Sequence, residues 1–172
     1  LQACEAVAEA PAAGIVHRDL KPGNLFLARR ADGTHVVKVL DFGISKSVTG
    51  GSLADMALTK TSALIGSPLY MSPEQMHSAK SVDARADIWS MGAILYEVLA
   101  GRPPYVGESL PQLCASLLND IQPPLAEFRS DVPAGLEHVI ARALHKDRAQ
   151  RWQNVADFAQ ALADAVFIRP LG

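Results

Sequence analysis

Eight consecutive residues concentrate the reactive side chains: His17-Arg18-Asp19-Leu20-Lys21-Pro22-Gly23-Asn24. Transfer of a phosphoryl group to a hydroxyl makes three demands. A carboxylate orients the hydroxyl and takes its proton, a cation stabilises charge on the moving group, and oxygen ligands hold magnesium. Asp19, Lys21 and Asn24 supply one of each within a few positions. A short apolar run farther on ends in Asp41-Phe42-Gly43, which adds a second oxygen ligand for magnesium beside a glycine.

The flanking pattern shows what must position these groups. Leu1 to Ala10 is Ala-rich with helical spacing, and Pro11 and Gly14 end it. Leu25-Phe26-Leu27 and Val36 to Leu40 are apolar runs around Asp32-Gly33, the signal of a hairpin turn. Residues 44 to 66 are rich in Ser, Thr and Gly without a clear period, a loop of the length that is usually functional or disordered. Helical spacing then dominates. Ser81 or Asp83 can cap a helix to about Ala100, with Ile88, Met91, Ile94, Leu95, Val98 and Leu99 on its period. Gly101-Arg102-Pro103-Pro104 stops it. Leu110 to Leu118 predicts a second helix. Pro133 opens a third, with Leu136, Val139, Ile140, Ala143 and Leu144 on one face. Asn154 caps a fourth, with Val155, Phe158, Leu162 and Val166 inward. The fold class is mainly α with a small β-hairpin, in one domain over 1–172.

With these motifs in this order, the chain resembles the eukaryotic-type protein kinases over nearly its whole length. The resemblance implies the C-terminal lobe of that fold, with an activation segment over 41–74. It implies Asp19 as catalytic base, Lys21 at the γ-phosphate of ATP, Asn24 and Asp41 as Mg2+ ligands, and Phe26 as the floor of the adenine site. His17 reads as structural, packed under the Phe42 turn. Gly66-Ser67-Pro68-Leu69-Tyr70-Met71-Ser72-Pro73-Glu74 resembles the loop that receives the protein substrate. Ser67 there stands where the family usually has Thr, and Ser72 where it has Ala. Asp87 resembles the helix carboxylate that ties down the catalytic-loop backbone, and Arg151 the arginine that pairs with Glu74. Arg148 stands at a turn position that is usually Pro. Lys21-Pro22 resembles the Ser/Thr-specific pattern, and Ser72-Pro73-Glu74-Gln75 the bacterial members. The implied partners are proteins carrying Ser or Thr.

The long loop carries Thr59 and Thr61 at the place of a Thr-x-Thr doublet in bacterial relatives. By resemblance these are the phosphorylation sites, and Arg18 the residue that pairs with the added phosphate.

Other features narrow the reading. The 172 residues are 49% hydrophobic and carry a formal net charge of -2, which gives no hint of nucleic-acid binding. The longest apolar stretch, Ile88 to Ala100, is interrupted by Glu97 and too short to span a bilayer, so no membrane attachment is visible, and a cytoplasmic location is expected. Two cysteines form no disulfide framework, and five scattered histidines no zinc motif. No two glycines sit two positions apart, so GxGxxG is absent. Lys38 directly precedes Asp-Phe-Gly and reads as a strand residue, not as an ATP lysine. These absences lead to the expectation that the N-terminal lobe is missing, that an apolar face is left where it would dock, and that this stretch alone is inactive. The competing readings are a non-catalytic, pseudokinase-like protein-binding module and a small-molecule kinase sharing the loop.

Overall fold

The computed structural model describes residues 1–9, 16–41, 68–77 and 82–167. The polar loop with Thr59 and Thr61, and also Phe42, Gly43, Ser67 and Ser81, lie outside the described residues. The described architecture is mostly helical with one two-stranded antiparallel sheet.

Helix α1 spans Gln2–Glu9 and buries Cys4 and Val7, one helical turn apart. Strands β1 (Leu25–Arg29) and β2 (His35–Val39) pair with Leu25 opposite Val39 and Arg29 opposite His35. The turn between them closes when Gly33 N–H donates to the Arg30 carbonyl (3.0 Å) and Arg30 N–H to the Thr34 carbonyl (2.8 Å). Gly33 takes the left-handed conformation at φ 85°, which favours glycine. Asp32 fixes the exit by accepting from both the Thr34 amide (2.9 Å) and its hydroxyl (2.6 Å). An isolated hairpin is marginal in water. Here α1 braces it: the Val37 amide donates to Gln2 Oε1 at 2.8 Å.

The short helix α2 (Pro73–His77) precedes the central helix α3 (Arg85–Ala100). Asp83, one residue before the N-cap Ala84, accepts the Arg85 amide (3.0 Å) at the start of α3. Gly101, at φ 73°, ends it by donating to the Glu97 carbonyl (2.8 Å). Its residues Ala86 to Ile94 are buried all round, as a helix in the middle of a core requires. Helices α4 (Leu110–Asn119), α5 (Ala134–Ala143) and α6 (Val155–Phe167) complete the order. Asn154 caps α6 by accepting the Asp157 amide at 2.8 Å. Helix α5 approaches α3 so closely that a Cβ on Gly92 would lie 2.9 Å from the Ala143 methyl.

Two positions depart from the sequence pattern. Val98 is 70% exposed and Val166 57% exposed, although both continue a buried face. In the same last turns Leu99, Ala100 and Ala165 still pack against the core, so each valine lies just outside the covered arc of its helix. Periodicity marks a face but not its width.

The entry to α4 leaves no room for a side chain at Gly107. A Cβ there would stand 2.3 Å from the Leu113 amide nitrogen and 2.8 Å from its Cα, both backbone atoms. Gly107→Ala is expected to cost about 1–3 kcal/mol through forced displacement of α4. Urea unfolding at constant m-value checks it.

Candidate active site

Two consecutive amides of the loop between α1 and β1 converge on one carboxylate. His17 N–H donates to Asp87 Oδ2 (2.8 Å) and Arg18 N–H to Asp87 Oδ1 (2.9 Å). Aiming both at the same side chain bends the chain, and Arg18 sits at φ 64°. Such a conformation costs a non-glycine residue roughly 1–3 kcal/mol and persists only under outside constraint. Asp87 is itself buried. Burial pushes its carboxyl above the usual range, and the two backbone donors only partly offset this.

The His17 ring is wholly buried and joins the loop to the end of β2. Its Nε2 lies 3.0 Å from the Leu40 carbonyl, and its Nδ1 accepts the Asp19 amide at 3.3 Å. One tautomer satisfies both bonds, with the proton on Nε2. That occupies both ring nitrogens in holding the loop.

Asp19 is thereby positioned beside Lys21, whose Nζ lies 3.2 Å from Asp19 Oδ2. A short 3-10 turn over Pro22–Asn24 follows, and Asn24 Nδ2 donates to the Asp19 carbonyl at 2.8 Å. With its amino group committed, Asn24 keeps its carbonyl oxygen as a ligand. The Leu40 amide donates to the Asn24 carbonyl at 2.8 Å, so Asn24 and Asp41 flank the paired ends of β1 and β2. Asp41 is exposed and lies at φ 53°. An amide oxygen and a carboxylate at one hairpin mouth suit a hard cation such as Mg2+, which keeps water and phosphate oxygens for its remaining positions. Among the described residues no group of three or more His, Cys, Asp or Glu could hold a metal, so the fit is to such a shared centre and not to an all-protein cage. Phe26, on β1, is 57% exposed.

The segment 68–77 is held against α3. Ser90 Oγ donates to the Tyr70 carbonyl (2.8 Å), and the Tyr70 hydroxyl donates to Glu97 Oε2 (2.6 Å). Burial, followed by the bond and the charge of Glu97, pushes the Tyr70 hydroxyl upward. In the first turn of α2, Glu74 meets Arg151 in a two-pronged ion pair, Nη1 to Oε1 at 2.7 Å and Nη2 to Oε2 at 2.8 Å. The remaining Arg151 hydrogens go to the carbonyls of His145 (2.7 Å), Arg85 (3.2 Å) and Lys146 (3.2 Å). All five guanidinium donors are therefore matched in a side chain that is fully buried. Burial pushes Glu74 upward, but the Arg151 bonds outweigh it and leave its carboxyl below the usual range. The turn at Arg148 is tied to α3: its guanidinium lies 3.5 Å from Asp83, and its carbonyl accepts from Arg85 at 3.3 Å.

Sequence reasoning did not single out Tyr70, Ser90, Glu97 or the side chain of Gln75. Gln75 had one available signal, the Ser72-x-x-Gln75 spacing of a helix capping box. Thr59, Thr61 and Ser67 are not among the described residues.

The model of the protein kinase domain family matches residues 1–167. The chain is 46% identical over 168 residues to the serine/threonine-protein kinase Pkn1 of Myxococcus xanthus, covering 96% of this chain and 23% of that protein. It is 36% identical over 155 residues to the serine/threonine-protein kinase PknB of Mycobacterium leprae, covering 90% and 24%. For PknB of Mycolicibacterium smegmatis the figures are 37% over 157 residues, 90% and 24%. The chain belongs to the protein kinase family, of the Ser/Thr kind found in bacteria. It spans about a quarter of the length of these relatives.

Arg151→Met leaves the partly buried Glu74 without its cation and the carbonyls of His145, Arg85 and Lys146 without their donors, and is expected to destabilise the fold by about 3 kcal/mol, read from urea unfolding. The pH dependence has a definite sign. The unfolded chain takes up the Glu74 proton near 4.5, and the folded one only lower. The stability this carboxylate contributes is complete above that value and lost as pH falls through the folded one. Unfolding midpoints from about pH 6 to about pH 3 should fall less steeply in Glu74→Gln than in the unsubstituted protein.

Proposed function

We propose that this chain is the C-terminal lobe of a protein Ser/Thr kinase domain, and that the domain transfers the γ-phosphoryl group of ATP to Ser and Thr hydroxyls of proteins. The observation that carries this reading is the grouping of Asp19, Lys21, Asn24 and Asp41 around a loop that Asp87 and His17 hold.

In this reading Asp19 orients the substrate hydroxyl and accepts its proton. Lys21 lies beside that carboxylate and presents a positive charge to the phosphoryl oxygens. Asn24 and Asp41 would hold Mg2+, which supplies charge neutralisation at the phosphates. Phe26 would form an apolar floor for the adenine ring. Ser67 and the segment after it would receive the peptide. ATP as the phosphoryl donor fits a cytoplasmic location for the domain.

The loop 44–66 supplies regulation in this proposal. Among the described residues, the Arg18 guanidinium has neither a hydrogen bond nor an ion pair. A phosphate on Thr59 or Thr61 would give it a partner of nearly two charges. Mass spectrometry of the active protein should find phosphate at Thr59 and Thr61; phosphate confined to other positions, such as Ser52, contradicts the assignment.

The decisive assay uses the full-length protein carrying this chain, labelled ATP, Mg2+ and a generic protein substrate. Asp41→Asn, with folding retained, should lower transfer by about 100-fold or more, the scale of losing one preorganised electrostatic contact. Full transfer in that variant would overturn the metal assignment. No transfer by the unsubstituted protein, with binding to other proteins intact, would favour the non-catalytic docking reading. The 172 residues alone contain no glycine-rich phosphate loop, and no turnover is expected from them in isolation.

A further inference from the structure

Gln75 is bonded at both ends of its side chain. Oε1 accepts the Ser72 amide (3.0 Å) and the Ser72 hydroxyl (3.1 Å), and Nε2 donates to the Arg18 carbonyl (2.9 Å). The Ser72 half is a capping contact at the start of α2, where Pro73 takes the first helical position. The Arg18 half has no part in capping. It crosses to the loop that carries Asp19, 57 positions earlier in the chain.

That contact falls on the most constrained peptide of the site. Arg18 holds φ 64°, and its N–H is gripped by Asp87 from α3. Its carbonyl is gripped by Gln75 from α2. The carbonyl is coplanar with the Asp19 nitrogen, so whatever fixes it also fixes the direction in which Asp19 leaves the backbone. Two donors from Ser72 at Oε1 set the orientation of the amide, which turns Nε2 toward Arg18. The hydroxyl of Ser72, where the resembling family has Ala, supplies one of these two donors.

We propose that Gln75 is a positioning residue that couples the substrate-receiving segment to the catalytic loop. It completes the fixing of the Arg18–Asp19 peptide only while 68–77 is seated. Displacing that segment withdraws one of the two ties on Arg18, so the carboxylate is aligned when the peptide-receiving surface is in place. This rests on the kinase reading above.

Gln75→Glu in the full-length protein isolates the coupling. A carboxylate still accepts the Ser72 amide and keeps α2 capped, but it cannot donate to the Arg18 carbonyl. The expected result is kcat lowered about 10- to 100-fold, the scale of a small misplacement of a reacting group, with peptide and ATP KM within about twofold. Hydrogen exchange at the Arg18 and Asp19 amides should quicken about five- to tenfold, the effect of one lost hydrogen bond. Gln75→Met loses both ends and should raise peptide KM as well. Unchanged kcat with unchanged exchange in Gln75→Glu overturns the inference. So does raised KM with kcat intact, which would confine Gln75 to the substrate segment. Absence of transfer in the unsubstituted protein would instead count against the kinase reading. Exchange in Gln75→Glu then still decides the coupling, with retained protection refuting it and quickened exchange supporting it.

Discussion

The site depends on a carboxylate that is nearly out of water. Asp87 spends both oxygens on backbone amides of a loop far from it in sequence. A buried carboxylate so placed is costly unless its hydrogen bonds are made. The cost runs both ways. The loop needs Asp87 to hold Arg18 in a left-handed conformation, and Asp87 needs the two amides to remain buried. Neither half is stable without the other, so the loop geometry is fixed by the core and not by local preference.

Helix α3 extends this control. Asp87, Ser90 and Glu97 lie at intervals of three and seven residues, which places them along one face. Asp87 holds the loop that carries Asp19, while Ser90 and Glu97 hold Tyr70 in the segment 68–77. The opposite side of α3 is apolar and packs on α5 and α6. One helix therefore registers the loop and the segment against a common, rigid frame. Gln75 adds a direct link between those two parts.

Arg151 performs the matching task at the start of α2, through Glu74. It is a buried cation with five satisfied donors, and its guanidinium lies 4.9 Å from the centre of the Trp89 ring. Trp89 in turn stacks on Tyr105 at 5.7 Å. The Trp89 N–H is buried with no partner among the described residues, a cost of roughly 1–3 kcal/mol that the cation over its face partly offsets. Such a pair adds little net stability over an apolar replacement, but it admits only one arrangement of its partners. Here that arrangement fixes the start of α2 against the core.

Much of this was legible in the sequence. The hairpin and the bounds of α3, α5 and α6 follow from Asp32-Gly33, Asp83, Gly101, Pro133 and Asn154, because each acts on its own neighbours in the chain; the Ser109 cap of α4 was not singled out. The grouping of Asp19, Lys21, Asn24 and Asp41 was legible too, because they lie on one loop and one hairpin. How wide a buried face is was not legible, as Val98 and Val166 show, since that depends on how the neighbouring elements lie against it. Nor was the coupling of Gln75 to Arg18 or of Tyr70 to Glu97. Those contacts join residues 57 and 27 positions apart, and residue type alone does not say which distant polar group a side chain will meet. The sequence by itself determined which groups could do chemistry and the elements that carry them. Tertiary structure decided their alignment, because hydrogen bonds across the core are set by packing and not by spacing along the chain.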